Sequence, residues 1–285
     1  AIPGPSIGWM QESLRWWDHW LKDDNNGVMN EPMYRVWLDE PQAPDACLAM
    51  SRGRWVTEPA WPSGNIGEQV FHLNSDGLAQ KKRRSTMLEH STPLTMGAAG
   101  GVWCPYGLGG SSPDLATDQR EDDARSLCFD TAPLEERLEV LGAPVVRLRL
   151  AIDKEQGMVA VRLNDVAPDG SSLRVSYGLL NLSHRKSHEK PRGMKTGAMV
   201  DVEVQLNDLA HAFPAGHRIR VAVSTSYWPM AWPSPESVTM TLATGRSTLC
   251  LPVRPPRGED KDVPDFAPPE MAPLPEMIEV VPGTG

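Results

Sequence analysis

Phenylalanine and tyrosine are scarce in this chain of 285 residues, four of each, and cysteine occurs only at 47, 104, 128 and 250. No CxxC pair exists, which removes the zinc-ribbon and thioredoxin readings. Four cysteines over this length are also too few to staple a disulfide scaffold, so free thiols in a reducing, cytoplasmic setting are expected. No run approaches the ~18 consecutive apolar residues of a membrane-spanning helix, and no basic-then-apolar leader opens the chain. A membrane partner is therefore not expected. Positive charge is in deficit as well: 28 Lys and Arg against 37 Asp and Glu leave a net charge of −9. Such a chain lacks the basic face that nucleic acid demands.

What is abundant is proline, 27 residues, and tryptophan, 10, within a 40% apolar composition that can build a core. Three regions follow from the patterning. Residues 1–30 hold the one long helical period: across Ile7–Leu21, Met10, Leu14, Trp17 and Leu21 recur at helix spacing, with Trp9, Trp16 and Trp20 on the neighbouring face. That apolar face is too broad for a helix packed on one side only. Its second packing partner is expected to lie outside this sequence. Polar 22–26 and Gly27 supply the stop.

Residues 31–253 break into short runs bounded by Gly, Pro, Asn and Asp: Met33–Leu38, Gln69–Leu73, Ala143–Ile152, Met158–Val166, Leu173–Leu180, Met199–Leu206, His217–Ser224, Ser237–Leu242 and Ser247–Val253. Val200, Val202, Val204 and Leu206 alternate with Asp201, Glu203 and Gln205, the period of a half-buried strand. With no repeat at a fixed period, this texture predicts a mainly β fold, a β-sandwich or jelly roll. Residues 254–285 carry eight prolines and no apolar periodicity, as an extended arm would. A strand-like start at Ile278–Val281 that then stops, the orphan helix and a first residue Ala1 fit a piece of a longer chain.

Chemistry is hard to find. The stretches Gly109-Gly110-Ser111-Ser112-Pro113 and Gly245-Arg246-Ser247-Thr248-Leu249 both miss the G-x-S-x-G nucleophile elbow and precede no helix. No phosphate-binding glycine loop occurs. His184 and His188 have helical metal-ligand spacing, but Arg185 and Lys186 lie between them and Pro191 follows, so a loop is expected and no metal or cofactor. His211 and His217 flank the turn Pro214–Gly216 and read as turn and strand-edge residues. The basic run Lys81–Arg84 reads as a solvated turn, and Asn181-Leu182-Ser183 fits a glycosylation pattern without other signs of secretion. One loop stands out. Tyr227-Trp228-Pro229-Met230-Ala231-Trp232-Pro233-Ser234-Pro235 is stiff and apolar, which makes Tyr227, Trp228 and Trp232 candidates for a substrate rim or an interface.

Three stretches together resemble a known family. Pro3–Trp9 with Glu12–Lys22 looks like the last hydrolase-domain helix of cocaine-esterase/X-Pro dipeptidyl-peptidase-like acyl hydrolases. Phe213-Pro214-Ala215-Gly216-His217-Arg218-Ile219-Arg220-Val221, running on to Ser224–Pro229, is similar to a signature of that group's C-terminal domain. Leu163–Gly170, Asp118-Gln119-Arg120 and Phe129-Asp130-Thr131 support it. The resemblance implies a jelly-roll β-sandwich of galactose-binding-like type that packs on an N-terminal α/β-hydrolase domain bearing a Ser-His-Asp triad, all of it upstream of residue 1. No catalytic residue is carried onto this chain; His19 does not match the motif. The partner would be that hydrolase domain, met through Trp9, Trp16, Trp17 and Trp20, and a homo-oligomer is expected where the domain is absent. The rival is a free-standing jelly roll that binds carbohydrate on Trp228 and Trp232, but such a module has no use for a broad apolar helix.

Overall fold

The alternation just described becomes two facing sheets in a computed structural model that describes residues 4–48, 50–101 and 115–270. Cys104, the Gly109–Pro113 stretch and Ile278–Val281 lie outside the described residues. In chain order the strands are Tyr34–Asp39 (β1), Gly53–Glu58 (β2), Gly67–Asn74 (β3), Gly77–Ala79 (β4), Met87–Ser91 (β5), Leu127–Asp130 (β6), Leu138–Gly142 (β7) and Val145–Ile152 (β8). They continue as Met158–Val166 (β9), Ser172–Asn181 (β10), Val200–Gln205 (β11), Leu209–Phe213 (β12), Arg218–Ser224 (β13), Thr239–Ala243 (β14) and Thr248–Val253 (β15). Two α-helices are described, Trp9–Lys22 (α1) and the single turn Arg120–Asp123 (α2).

The larger sheet runs β2-β1-β12-β7-β15-β8-β14-β5, with β11 added to β8, β3 to β15 and β4 to β3; the smaller is β10-β9-β13-β6. The fold is a β-sandwich. Strands β8 and β11 show why these sequences pair. Val146, Leu148 and Leu150 stand opposite Val204, Val202 and Val200, and most of these are buried between the sheets. One residue out of phase, Arg147 meets Glu203 at 2.9 Å and Arg149 meets Asp201 at 2.7 Å on the outer face. Period two thus sorts one face into the core and the other into cross-strand ion pairs.

Strand β9 is buried along its whole length, because it is central in its sheet and covered on both sides. Val159, Val161 and Leu163 face the core with Leu148, Leu150, Ile219, Val221 and Val223. Its alternate residues, Arg162 and Asn164, point to the other face, where the segment around α2 covers them. Helix α1 starts at Trp9 and ends at Lys22, with Asp23 in the left-handed conformation (φ 56°) and its N–H donating to the Asp18 carbonyl. The helix stops within the expected polar run 22–26, its C-cap closed at Asp23 before Gly27 is reached. None of α1's residues is buried.

Candidate functional site

The helix exposes what sequence periodicity had grouped. Trp9, Trp16, Trp17 and Trp20 are between 42% and 63% exposed, and Met10, Leu14 and Leu21 are exposed beside them. Trp16 and Trp20 lie one turn apart with ring centroids 5.8 Å from each other. What holds α1 is polar and peripheral. Arg15 pairs with Glu12 at 2.6 Å and with Glu31 at 2.5 Å, and Glu31 in turn accepts from Arg35 at 3.1 Å. Asn26 donates to the Arg15 carbonyl, and the Gly8 N–H donates to Ala267 O at 2.8 Å. A helix fastened by its polar edge with a tryptophan face left in water has the character of an unmated interface.

The aromatic loop after β13 divides into a root and a tip. Tyr227 is fully buried, packed with Met96, Met158 and Ala160, so it anchors the loop and does not reach the rim. Burial pushes its phenol pKa up. Trp228 and Trp232 form the tip, edge to face at 5.2 Å, with Trp232 82% exposed. The root is fixed from below. The Trp228 N–H donates to Met96 O at 2.7 Å, and a Cβ on Gly97 would lie 1.8 Å from the Trp228 carbonyl oxygen, so only glycine fits at that φ of 125°. Gly97 and Ala99 donate their N–H groups to the buried Asp122 carboxylate at 3.1 and 3.2 Å. Burial raises the Asp122 pKa, against the pull of Arg162 and of these two N–H groups.

Beside Asp122 lies an enclosed ion pair. Arg162 and Asp123, both buried, meet at 2.7 Å. Asp123 also accepts from Arg220 at 3.0 Å, from Asn164 and from the Ser172 hydroxyl at 2.8 Å. Arg220 forks onto Asp130 at 2.7 Å through two nitrogens. A second carboxylate, Asp165 on the inner face of β9, accepts from His211 Nε2 at 2.9 Å and His217 Nδ1 at 2.7 Å. His211 is therefore not a turn residue. It sits buried within β12, and its bond to Asp165 ties one sheet to the other.

This geometry can be set against known proteins. Residues 26–257 match the family described as the X-Pro dipeptidyl-peptidase C-terminal non-catalytic domain. The chain belongs to that family. Cocaine esterase of Rhodococcus sp. (strain MB1 Bresler) is 25% identical over 223 residues, 74% of this chain and 37% of the esterase. The Xaa-Pro dipeptidyl-peptidase of Ligilactobacillus salivarius (strain UCC118) is 20% identical over 239 residues, 70% of this chain and 29% of the peptidase. An aminopeptidase from a marine sediment archaeon shares the fold with a TM-score of 0.67 at 18% identity, over 86% of this chain and 44% of its own. The chain thus spans less than half the length of the relatives it matches.

Within this X-Pro dipeptidyl-peptidase C-terminal domain the signature stretches supply hydrogen-bond and ion-pair ties. Asp118 accepts from the Ser172 N–H at 3.3 Å, Gln119 donates to the carbonyls of Ala99 and Thr117, and Thr131 accepts from the Ile219 N–H. Asn164, Asp165, His217 and Arg220 are the network itself. They brace the strands that carry the aromatic loop. The motifs contain several of these residues without disclosing their roles; Asp123 and Arg162 lie next to or between motifs and carry no local signal. Missed entirely was Arg254, fully buried, which meets Glu58 at 2.7 Å, Glu139 at 3.3 Å and Asp260 at 2.7 Å and so fastens the start of the C-terminal arm. His184 and His188 do approach one another, Nδ1 to Nδ1 at 3.3 Å, on a loop beginning with a 3-10 turn; among the described residues no third ligand joins them. Cys47, Cys128 and Cys250 are free thiols, and burial pushes Cys128 up to about 12. Among the described residues no helix is long and apolar enough to cross a membrane.

Proposed function

We propose that the chain is the non-catalytic C-terminal part of a serine acyl hydrolase, that it docks on the α/β-hydrolase part through α1, and that the Trp228–Trp232 tip borders the substrate entrance. The observation that carries this reading is the tryptophan face, exposed on a helix none of whose residues is fully buried. Burying one Trp removes on the order of 200 Å² from water, worth a few kcal/mol at ~25 cal/mol/Å². Four in one patch are ample for a permanent contact after ordering costs. The relatives' names, an esterase and a dipeptidyl-peptidase, support acyl transfer at an ester or amide carbonyl in the whole protein. Acyl transfer of that kind runs through a base-activated serine and an oxyanion hole, here supplied by the other part. The bracing of Trp228 by Gly97 and Asp122 suits a rim that must keep its shape.

The test is reconstitution. Co-expressed with the α/β-hydrolase part of its own full-length protein, this chain should co-purify with it, and Trp16→Gln with Trp20→Gln should abolish that without lowering the melting temperature of the isolated chain. Co-purification that survives both substitutions would overturn the docking surface. Trp232→Ala in the full-length protein should then raise KM with little change in kcat, the mark of a group that touches substrate before the chemistry.

A further inference from the structure

At the open edge of the sandwich, β1 and β12 of the larger sheet face β10 of the smaller across a cavity of about 830 Å³. Tyr34 and Trp37 from β1 and Tyr177 from β10 form aromatic walls. Four carboxylates, Asp39, Glu40, Asp45 and Asp208, line the same space with a single guanidinium, Arg174; of these, Asp39 on β1 and Arg174 on β10 stand on strands of opposite sheets.

Arg174 is unusual in its company. Its guanidinium lies 4.5 Å from the centre of the Tyr177 ring and 5.7 Å from that of Tyr227, and it donates to the Tyr227 hydroxyl. Among the described residues every other partly or fully buried arginine meets a carboxylate or a backbone carbonyl; Arg174 meets neither. A guanidinium lying over one tyrosine ring and hydrogen-bonded to the hydroxyl of a second is held in place with donors to spare, the arrangement that receives a carboxylate. Asp39 is the reverse case. It accepts from the Ser51 hydroxyl, and among the described residues no cationic side chain bonds to it. The nearest imidazole, His211, spends its Nε2 on Asp165. Burial raises the Asp39 pKa, only partly countered by Ser51 and His211. Charges withdrawn from water without counter-charges are costly, and a cavity with aromatic walls and a few convergent polar groups is the usual form of a small-molecule site.

We propose that this cavity binds a small zwitterion with an apolar side chain, its carboxylate on Arg174, its ammonium at Asp39 and its apolar part against Tyr34, Trp37 and Tyr177. The two ionic contacts lie on different sheets, so the ligand would bridge the sandwich at its open edge. Nothing in this site draws on α1 or on an upstream domain, and its fate is separate from that of the docking surface.

L-Phenylalanine is the probe, titrated into the 285-residue chain by calorimetry or by ligand-observed NMR. For about twelve heavy atoms, affinity in the millimolar range is expected. Phenethylamine, which lacks the carboxylate, and 3-phenylpropionate, which lacks the ammonium, should each bind about tenfold more weakly or worse. Asp39→Asn should weaken phenylalanine binding about tenfold while leaving 3-phenylpropionate unaffected; Arg174→Met should do the opposite, weakening phenylalanine and sparing phenethylamine. Because these losses cross over, they separate a lost contact from a damaged fold, and the melting temperature of each variant checks the latter. Absence of saturable phenylalanine binding to the unaltered chain at several tens of millimolar would overturn the site. So would equal binding of all three probes, or binding indifferent to both substitutions.

Discussion

At the scale of single residues, the chain concentrates its electrostatic risk on a few carboxylates. Asp123 serves two guanidiniums, an amide and a hydroxyl at once, and Arg162 beside it is almost wholly withdrawn from water. A buried pair of this kind adds little net stability over an apolar substitute, yet breaking it strands an uncompensated charge. Asp123→Asn should therefore cost about 3–5 kcal/mol in urea unfolding, since Arg162 then loses the one carboxylate bonded to it among the described residues and keeps neutral acceptors such as the Ser126 hydroxyl at 3.2 Å. Asp130→Asn should cost much less, because Arg220 is only half-buried and retains Asp123. Equal losses for the two would contradict the central place of Asp123. Such pairs also mark what the sequence conceals. Arg162 and Asp123 are 39 positions apart, and Arg162 interrupts an apolar run where periodicity alone reads a strand and nothing more.

At the scale of elements, strands with full alternation were legible and those without it were not. Met158–Val166 coincides with β9, and Met199–Leu206 brackets β11. Strand β2 begins at a glycine and carries Arg54 and Glu58; β5 is an edge strand, Met-Leu-Glu-His-Ser; β6 has four residues. None shows enough period-two signal to stand out, and each is specified by its neighbours in the sheet. The C-terminal arm is likewise specified at a distance: Arg254 finds Glu58, 196 positions away. Burial pushes the Glu58 and Asp260 pKa values up, but hydrogen bonds outweigh it. Those from Ser63, Asn65 and Arg254 hold Glu58 below its ordinary 4.5, and those from Arg254 and the Arg257 N–H hold Asp260 below its ordinary 3.8. The stability they contribute is complete above those ordinary values and is lost as pH falls through the depressed ones. Amide protection over Arg254–Asp262, corrected for intrinsic exchange rates, should accordingly hold from about pH 7 to 5 and be lost as pH falls below the ordinary carboxylate values, ahead of the β9 core. Protection that stays flat throughout the acid titration, or that fails only together with β9, would refute the clamp.

At the scale of the whole molecule, the sandwich and the family were readable because both are written in local stretches, alternating strands and the Gly216–Val221 signature. The site was readable only in outline. The sequence grouped the four tryptophans on α1 and offered Tyr227 beside Trp228 and Trp232, but which of these reach the surface depends on packing that no local pattern encodes. Tyr227 is drawn into the core by Met96 and Met158, residues 131 and 69 positions away in a chain numbered 1–285. An exposed patch of this kind seeks a cover. Alone in solution at micromolar concentration, the chain should self-associate, and Trp16→Gln with Trp20→Gln should return it to a monomer in sedimentation equilibrium. A monomeric unaltered chain at high concentration would show that the face is content in water.

The arm that Arg254 fastens continues over β1 and β2, where Phe266 stacks edge-on against Trp55 at 4.9 Å and lies 3.8 Å beneath the Arg35 guanidinium, before Ala267 meets Gly8. Residues 8 and 267, at opposite ends of the described chain, are thus joined by one backbone hydrogen bond, and the path between them is very nearly a closed ring. Mechanically, a pull applied across those two points meets the arm's light contacts first. It would peel Phe266 from Trp55 and come up against the Arg254 cluster before any strand of the sandwich bore load. The tryptophan helix is moored by a tether that can slacken at its outer end while its inner end stays fast.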